Sequence, residues 1–408
     1  MPSCRLFVRG PAMRPIPAFV AAILLTTALG SVHAFSVFVA PLELSLEAGR
    51  DTISLAYSIA LLSITVMVLV GPRLWRLGPP ALVAAASFMV AASGTALATI
   101  PSVPTLYLGY GVLFGLANGS GYGFALVIAS HALPHKRGVG MGVVTAVYAV
   151  GAMVAAWLFR ESNAAWGHDT TLLIAAVLFA VLSVVTALLL HISKLTIVWP
   201  DRTAGASAGS SVTNRELALL WLGFGAGGMA GLMALGHAAE VVRAHGGAET
   251  LITIGVMIVT GTNAAGGFAA GWLADRGQMR RMLLGLPVLA FAALVLLALD
   301  PNALWTITLL ALVQISYGGI IVLYPVAVTH MAGPSWGPII YGRVFTCWGV
   351  VGFSGPWLAG WLFERTGGYT WAFVVAAAIA CFSTLAVIGL RGRLSASAGT
   401  PEMPTADV

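Results

Sequence analysis

Twelve times along this sequence, apolar residues run on for about 20 positions, the length an α-helix needs to cross the ~30 Å hydrocarbon layer of a bilayer. The runs fall at 16–40, 53–71, 79–100, 104–130, 139–159, 169–191, 216–239, 250–271, 282–299, 303–330, 342–363 and 369–390. Lipid offers backbone N–H and C=O groups no water, so each run must satisfy its own as a helix. Hydrophobic residues make up 59% of the 408-residue chain and mean hydropathy is +0.94, too apolar for a water-soluble core. The expected fold class is an all-α membrane protein of twelve transmembrane helices.

Charge placement supports the count. With both termini cytoplasmic, the inside segments hold Arg5, Arg9, Arg14, Arg73, Arg76, Lys136, Arg137, Lys194, Arg202, Arg215, Arg276, Arg280, Arg281, Arg343, Arg391 and Arg393. Only Arg50, Arg160, Arg243 and Arg365 fall outside, as the positive-inside rule requires. The expected location is the cell (inner) membrane. The formal charge of +6 is scattered through short loops, which argues against nucleic acid as a partner. Val32-His33-Ala34 has the look of a signal-peptide cleavage site, and Met13 is an alternative start. The apolar run continues to Val39, however, and removing it would leave eleven helices and spoil the charge bias.

Residues 192–215, ISKLTIVWPDRTAGASAGSSVTNR, form the longest polar stretch between runs and read as a flexible linker. Sliding the chain by about 200 residues aligns Gly71 with Gly271, His131 with His330 and Tyr148 with Trp348, the mark of a duplicated fold whose halves rock about a central site. The expected divisions are a cytoplasmic tail (1–15), a six-helix bundle (16–191), the linker (192–215), a second bundle (216–390) and a second cytoplasmic tail (391–408).

One loop concentrates charge. GWLADRGQMRR, with Gly271, Asp275, Arg276, Arg280 and Arg281, resembles the loop signature of the major facilitator superfamily. That resemblance implies two pseudo-symmetric halves and an aspartate facing the N-terminal end of the segment that begins after Arg137, latching one conformation. The matching loop, GPRLWRLGPP, keeps Gly71 and Arg76 but has Trp75 where the aspartate belongs. Trp75 is expected either to stack on Arg343 as a cation–π pair or to sit in an interfacial aromatic belt. The stretches GSVHAFSVFVAPL, GLANGSGYG, PHKRGVGMGVV and YGRVFTCWGVVGFSGPWLAG further resemble the oxalate/formate antiporter family and its monocarboxylate-transporter relatives. This likeness implies transport of a small organic acid, with basic residues on the eighth and eleventh segments. At those positions stand Gly267 and Trp348.

Near mid-membrane the residues are polar but neutral. His33, Asn118, Tyr122 and Tyr148 in the first half, and His237, Asn263, Gln314, Tyr317, Tyr324 and Trp348 in the second, are candidate substrate-binding residues, with Arg343 nearer the cytoplasm. No Asp or Glu lies deep in a run, so His33 and His237 are the candidate proton carriers. No acid pair, Ser–His–Asp grouping, GxxxxGK[ST] or His-rich cluster stands out, so neither an enzyme nor a cofactor is expected. On the resemblance to the oxalate/formate antiporter family, the expected protein is a monomeric secondary transporter of a small organic acid, a mono- or dicarboxylate, working by alternating access as an antiporter or proton-coupled carrier. A carrier of neutral or weakly polar compounds and a transporter-like sensor remain the alternatives.

Overall fold

Helix starts follow local chemistry. Proline, which lacks an N–H where the first turn needs none, opens α1 (Pro15–Leu29) and α3 (Pro80–Leu97). A capping box of Thr213 and Glu216 opens α7 (Asn214–Gly236). The structure, a computed structural model, describes residues 13–200, 212–299, 301–390 and 393–394. Most of both expected tails and the middle of the 192–215 linker, with Arg5, Arg9, Arg202 and Arg391, lie outside the described residues.

The remaining membrane helices of the first half are α2 (Arg50–Leu74), α4 (Val103–Ala132), α5 (Arg137–Trp166) and α6 (His168–Ser193). In the second half, α8 (Glu249–Leu273) turns back into α9 (Met279–Leu297) at Gly277, whose φ of 77° suits glycine. The helical run Ala303–Thr366 likewise reverses at Gly333, φ 76°, and so makes two crossings, α10 (303–332) and α11 (334–366). With α12 (Thr370–Gly389) the described residues form twelve helices long enough to cross a membrane, as the hydropathy predicts.

The first helix of each half is broken near its end, which apolar patterning did not predict. α1 passes through a 3₁₀ turn, Gly30–Ala34, into a further helix, Ser36–Leu46. α7 stops at His237 and resumes as Ala238–Ala244. The two candidate histidines therefore sit at the two breaks, where the regular helix gives way.

α3 packs on α4 and α6, and α12 on α7 and α9, as outer supports, while the halves meet mainly through α5 against α8 and α2 against α11. Backbones touch at these seams. A Cβ on Gly138 or Gly271 would run into the other's carbonyl oxygen, and a Cβ on Gly142 would lie 3.2 Å from Gly267 O. On the other seam, a Cβ on Gly342 would lie 2.7 Å from Val68 O. Small residues permit this approach, and van der Waals contact then holds the helices, since lipid tails give apolar faces little reason to associate.

The same end carries a contact between Asp275 and the start of α5. Asp275 Oδ1 accepts from Gly138 N and Oδ2 from Val139 N, both at 2.7 Å. These are free N–H groups of the first turn of α5, where the helix dipole favours an anion, and the α5 N-cap residue, Lys136, supplies no side-chain cap. Gly271 provides the close approach of α8 that puts Asp275 in reach. Arg276 lies over the Trp272 ring, 3.5 Å from its centroid, while half-buried Arg280 stands in the first turn of α9.

The first-half loop behaves differently, and the expected Trp75–Arg343 pair does not form. Trp75 is only 3% exposed and points into its own half. Its ring fills a slot left by Gly71 and Gly123, where a Cβ would lie 2.5 and 2.7 Å from the indole. Nε1 donates to Ser120 Oγ at 3.1 Å, and Phe124 packs beside the ring. Burial with its one donor satisfied outweighs an exposed cation–π contact. Arg76 Nε donates to Pro72 O at 3.2 Å, so this loop is fastened to α2.

Two outcomes follow. Gly271→Ala forces α5 from α8 and lowers the stability of the purified protein by about 1–3 kcal/mol, whereas Gly285→Ala, whose Cβ would meet nothing within 4 Å, leaves the melting temperature nearly unchanged. Asp275→Asn weakens a charge-assisted cap by about 1–2 kcal/mol and shifts the population five- to thirtyfold towards separation of α5 and α8. Spin-label distances across that seam read the shift, and Trp75→Phe leaves them as they are.

Candidate functional site

Between the halves lies a cavity of about 660 Å³, walled by α2, α4, α5, α7, α8, α10 and α11 and by the 3₁₀ turn of His33. Its α5 lining runs from Thr145 to Ala156, its α8 lining from Asn263 back to Val256, and its α7 lining is Leu232, Leu235 and Gly236. The α5 and α8 stretches span the middle of their helices, beyond the contact with Asp275, and the α7 stretch lies at its C-terminal end. Met153 and Met257, on facing helices, line the cavity and are exposed. The bundle is thus sealed at the latch end and hollow towards the other.

The first half contributes a linked set of polar groups. His33 Nδ1 and the Tyr57 hydroxyl are 2.7 Å apart, and the Tyr148 ring stands edge-on to His33 with centroids 5.4 Å apart. Tyr148 donates to Asn118 Oδ1 at 2.9 Å, and Asn118 Nδ2 donates to Leu29 O, beside the break in α1. Asn118 is wholly buried, so it serves by aiming Tyr148. Tyr110 donates to Val32 O at 2.9 Å and steadies the 3₁₀ turn beneath His33.

The second half is satisfied in a parallel way. Asn263 Nδ2 donates to Gln314 Oε1 at 2.9 Å and Gln314 Nε2 to Gly231 O at 2.8 Å, which leaves the Asn263 carbonyl oxygen for the cavity it lines. Trp348 Nε1 donates to the Tyr317 hydroxyl at 3.1 Å, and Phe345 stacks on Trp348 at 5.2 Å. The hydroxyl proton of Tyr317 remains available on the wall. Gly352 and Pro356 also line the cavity, and because proline has no N–H the carbonyl of Gly352 loses its helical donor.

Six of the predicted residues meet at the cavity: His33, Tyr122, Tyr148, Asn263, Tyr317 and Trp348. Asn118 and Gln314 stand behind them. His237 does not line it. Its Nε2 donates to Pro356 O at 2.9 Å and its Nδ1 lies 3.3 Å from the Tyr369 hydroxyl, so it ties the break in α7 to α11 and α12. Tyr324 is 1% exposed and stacks on Phe224 at 5.0 Å, a packing position. Arg343 is half-buried outside the lining. Among the described residues, the cavity is lined by no Lys, Arg, Asp or Glu.

The sequence reading missed Tyr57, Thr145, Thr260 and Phe345. Thr145 and Thr260 stand three residues before Tyr148 and Asn263, a spacing that puts each pair on one helical face and could have found them. No group of three or more His, Cys, Asp or Glu side chains among the described residues is arranged to hold a metal.

The chain is similar to known transporters. It is 25% identical over 300 residues to the oxalate:formate antiporter of Oxalobacter formigenes, covering 71% of this chain and 70% of that one. It is 22% identical over 333 residues to the uncharacterized MFS-type transporter YhjX of Escherichia coli (strain K12), covering 79% and 82%. The fold matches that of FucP in the outward conformation with a TM-score of 0.71, at 14% identity over 91% of this chain and 98% of that one. It matches the proton:xylose symporter XylE with a TM-score of 0.65, at 14% identity over 92% and 95%. The sequence pattern of the Major Facilitator Superfamily spans residues 18–356. The chain therefore belongs to that superfamily and is a transporter, not an enzyme, that moves a small molecule across the membrane.

Proposed function

We propose that this protein carries a small organic compound in uncharged form, by alternating access and as a monomer. The observation that carries the reading is the cavity wall: six aromatic rings from Tyr57, Tyr122, Tyr148, Tyr317, Phe345 and Trp348, a few neutral donors and acceptors, and no fixed charge. With the Arg-rich loops in the cytoplasm, the latched state faces outward, and rocking of the halves that parts Gly138 from Gly271 would expose the same wall to the inside. Asp275 and the glycine seams act as the gate. Tyr122, Tyr148, Tyr317, Trp348, His33 and Asn263 are the proposed substrate-binding residues, and no cofactor is required.

The energetics favour a neutral cargo. A carboxylate moved from water into such a site costs several kcal/mol without a positive partner. Protonating a carboxylic acid of ordinary pKa near 4 at pH 7 costs about 4 kcal/mol, at 1.36 kcal/mol per unit. An acid can therefore enter with its proton about as cheaply as it can enter bare.

A second reading, favoured by the similarity to the oxalate:formate antiporter, is exchange or proton-coupled transport of a small mono- or dicarboxylate. His33, paired with Tyr57 on the wall, would then take up the proton and face the anion.

Thermal stabilisation of the purified protein separates the readings. A ligand at a hundred times its dissociation constant adds about 2.7 kcal/mol. Neutral alcohols and amides are expected to stabilise at both pH ~5 and pH ~7.5, monocarboxylic acids mainly at pH ~5, and oxalate at neither. Stabilisation by oxalate, or by monocarboxylates undiminished at pH ~7.5, overturns the neutral-cargo reading.

A further inference from the structure

Met153 (α5) and Met257 (α8) hold a position that no other side chain of the cavity wall shares. Each lines the cavity and is also exposed, at 42% and 58%, whereas the lining side chains of α2 and α11 are all buried or half-buried. On α5, Ala149, Ala152 and Ala156 turn to the cavity, while Val150, Val154 and Trp157 are exposed and off its wall. Met153 stands on the edge between these two helical faces. On α8, Met257 stands in the same way between the lining pair Val256 and Thr260 and the exposed pair Ile254 and Ile258.

The two edges lie at one depth. α5 and α8 touch where Gly142 meets Gly267. Met153 comes eleven residues after Gly142 and Met257 ten before Gly267, so at 1.5 Å per residue they stand about 16 and 15 Å above that contact. Between these levels a Cβ on exposed Gly261 would meet nothing within 4 Å, which leaves the α8 edge uncovered. With the Arg-rich loops in the cytoplasm, the exposed ion pairs Arg160–Glu161 and Arg243–Glu249 mark the outer aqueous boundary. Arg160 and Glu249 are seven and eight residues from the methionines, about 10 and 12 Å along their helices. Both methionines therefore stand in the outer half of the ~30 Å hydrocarbon layer, flanking a slit between cavity and lipid.

We propose that this slit is a side entrance, through which cargo dissolved in the outer leaflet passes into the cavity. The cargo class is a neutral amphiphile whose apolar part draws it into the bilayer, a narrowing of the neutral-cargo reading on which the inference rests. At ~0.8 kcal/mol per CH₂, each added methylene raises the share held in the bilayer about fourfold, so such a compound meets the protein chiefly from lipid. Methionine suits the frame of an entrance, since its unbranched side chain swings between rotamers and its sulfur favours aromatic faces. Behind Met153, Ala149 and Ala152 leave room, and the aromatic wall begins at Tyr148. The entrance belongs to one seam only, because α2 and α11 present no lining side chain that is also exposed.

Two measurements on the full chain in nanodiscs test it. In the first, Met153→Cys or Met257→Cys carries a bimane label, with Cys4→Ser and Cys381→Ser in the background and Cys347 buried. Lipids brominated at mid-chain are expected to quench both labels about as strongly as a label at Val154→Cys, and well above one at Ala156→Cys. Quenching no stronger than at Ala156 overturns the entrance. In the second, rapid-filtration kinetics compare tritiated benzyl alcohol with tritiated 4-butylbenzyl alcohol, which is held far more by the bilayer. A route changes rates and leaves the equilibrium alone. In Met153→Trp/Met257→Trp, association and release of the butyl compound are expected to slow together by about tenfold, while benzyl alcohol, arriving from water, slows less than about twofold. Equal slowing of both compounds, or of neither, overturns the entrance and leaves the neutral-cargo reading standing, as does the same slowing in Val154→Trp. Failure of the wild-type protein to bind either alcohol overturns the neutral-cargo reading and the entrance together.

Discussion

Backbone-to-backbone contact between the halves governs the molecule. Where Gly138 meets Gly271 and Gly342 meets Val68, no side chain stands between helices, and the seam at that end is as tight as the chain allows. In lipid such contact is held by dispersion and by few polar bonds, which makes it firm when seated and inexpensive to part. The cavity exists because the same helices diverge beyond those glycines. Seal and hollow are two consequences of one packing choice.

The seams are not equivalent. Asp275 reaches across from one half to the first turn of α5 in the other, adding a charge-assisted cap to the glycine contact. Trp75, at the matching place in the first half, turns inward, binds Ser120 and holds its loop to its own half. The α2–α11 seam therefore depends on Gly342 and neighbouring packing, with no comparable electrostatic tie among the described residues, so the two halves are closed by an asymmetric device.

The polar residues around the cavity divide by how far they are already satisfied. Asn118 and Gln314 spend their hydrogen bonds on backbone carbonyls and on the residues they aim, Tyr148 and Asn263. His237 spends its own on Pro356 and Tyr369. What is left facing the hollow is a small set of unspent donors and acceptors among aromatic faces. Such a wall orients a weakly polar molecule and offers little to compensate a full charge.

Much of this was written in the sequence. Runs of about 20 apolar residues determined twelve helices, because backbone groups in lipid have no other partners. The spacing of Gly271, Asp275 and Arg276 pointed to a latch on the helix after Arg137, since a short loop before a helix start is legible locally. The tertiary structure alone decided which polar residues share the cavity, because helices far apart in sequence meet only after packing. Asn118, Tyr122, Gln314, Tyr317 and Tyr324 all read as mid-membrane polar positions, yet only Tyr122 and Tyr317 line the hollow. Rotation of a helix by one residue, about 100°, separates a wall from a core, and neighbouring helices set that rotation. Trp75 was open for the same reason: a slot between Gly71 and Gly123 exists only once α2 lies against α4.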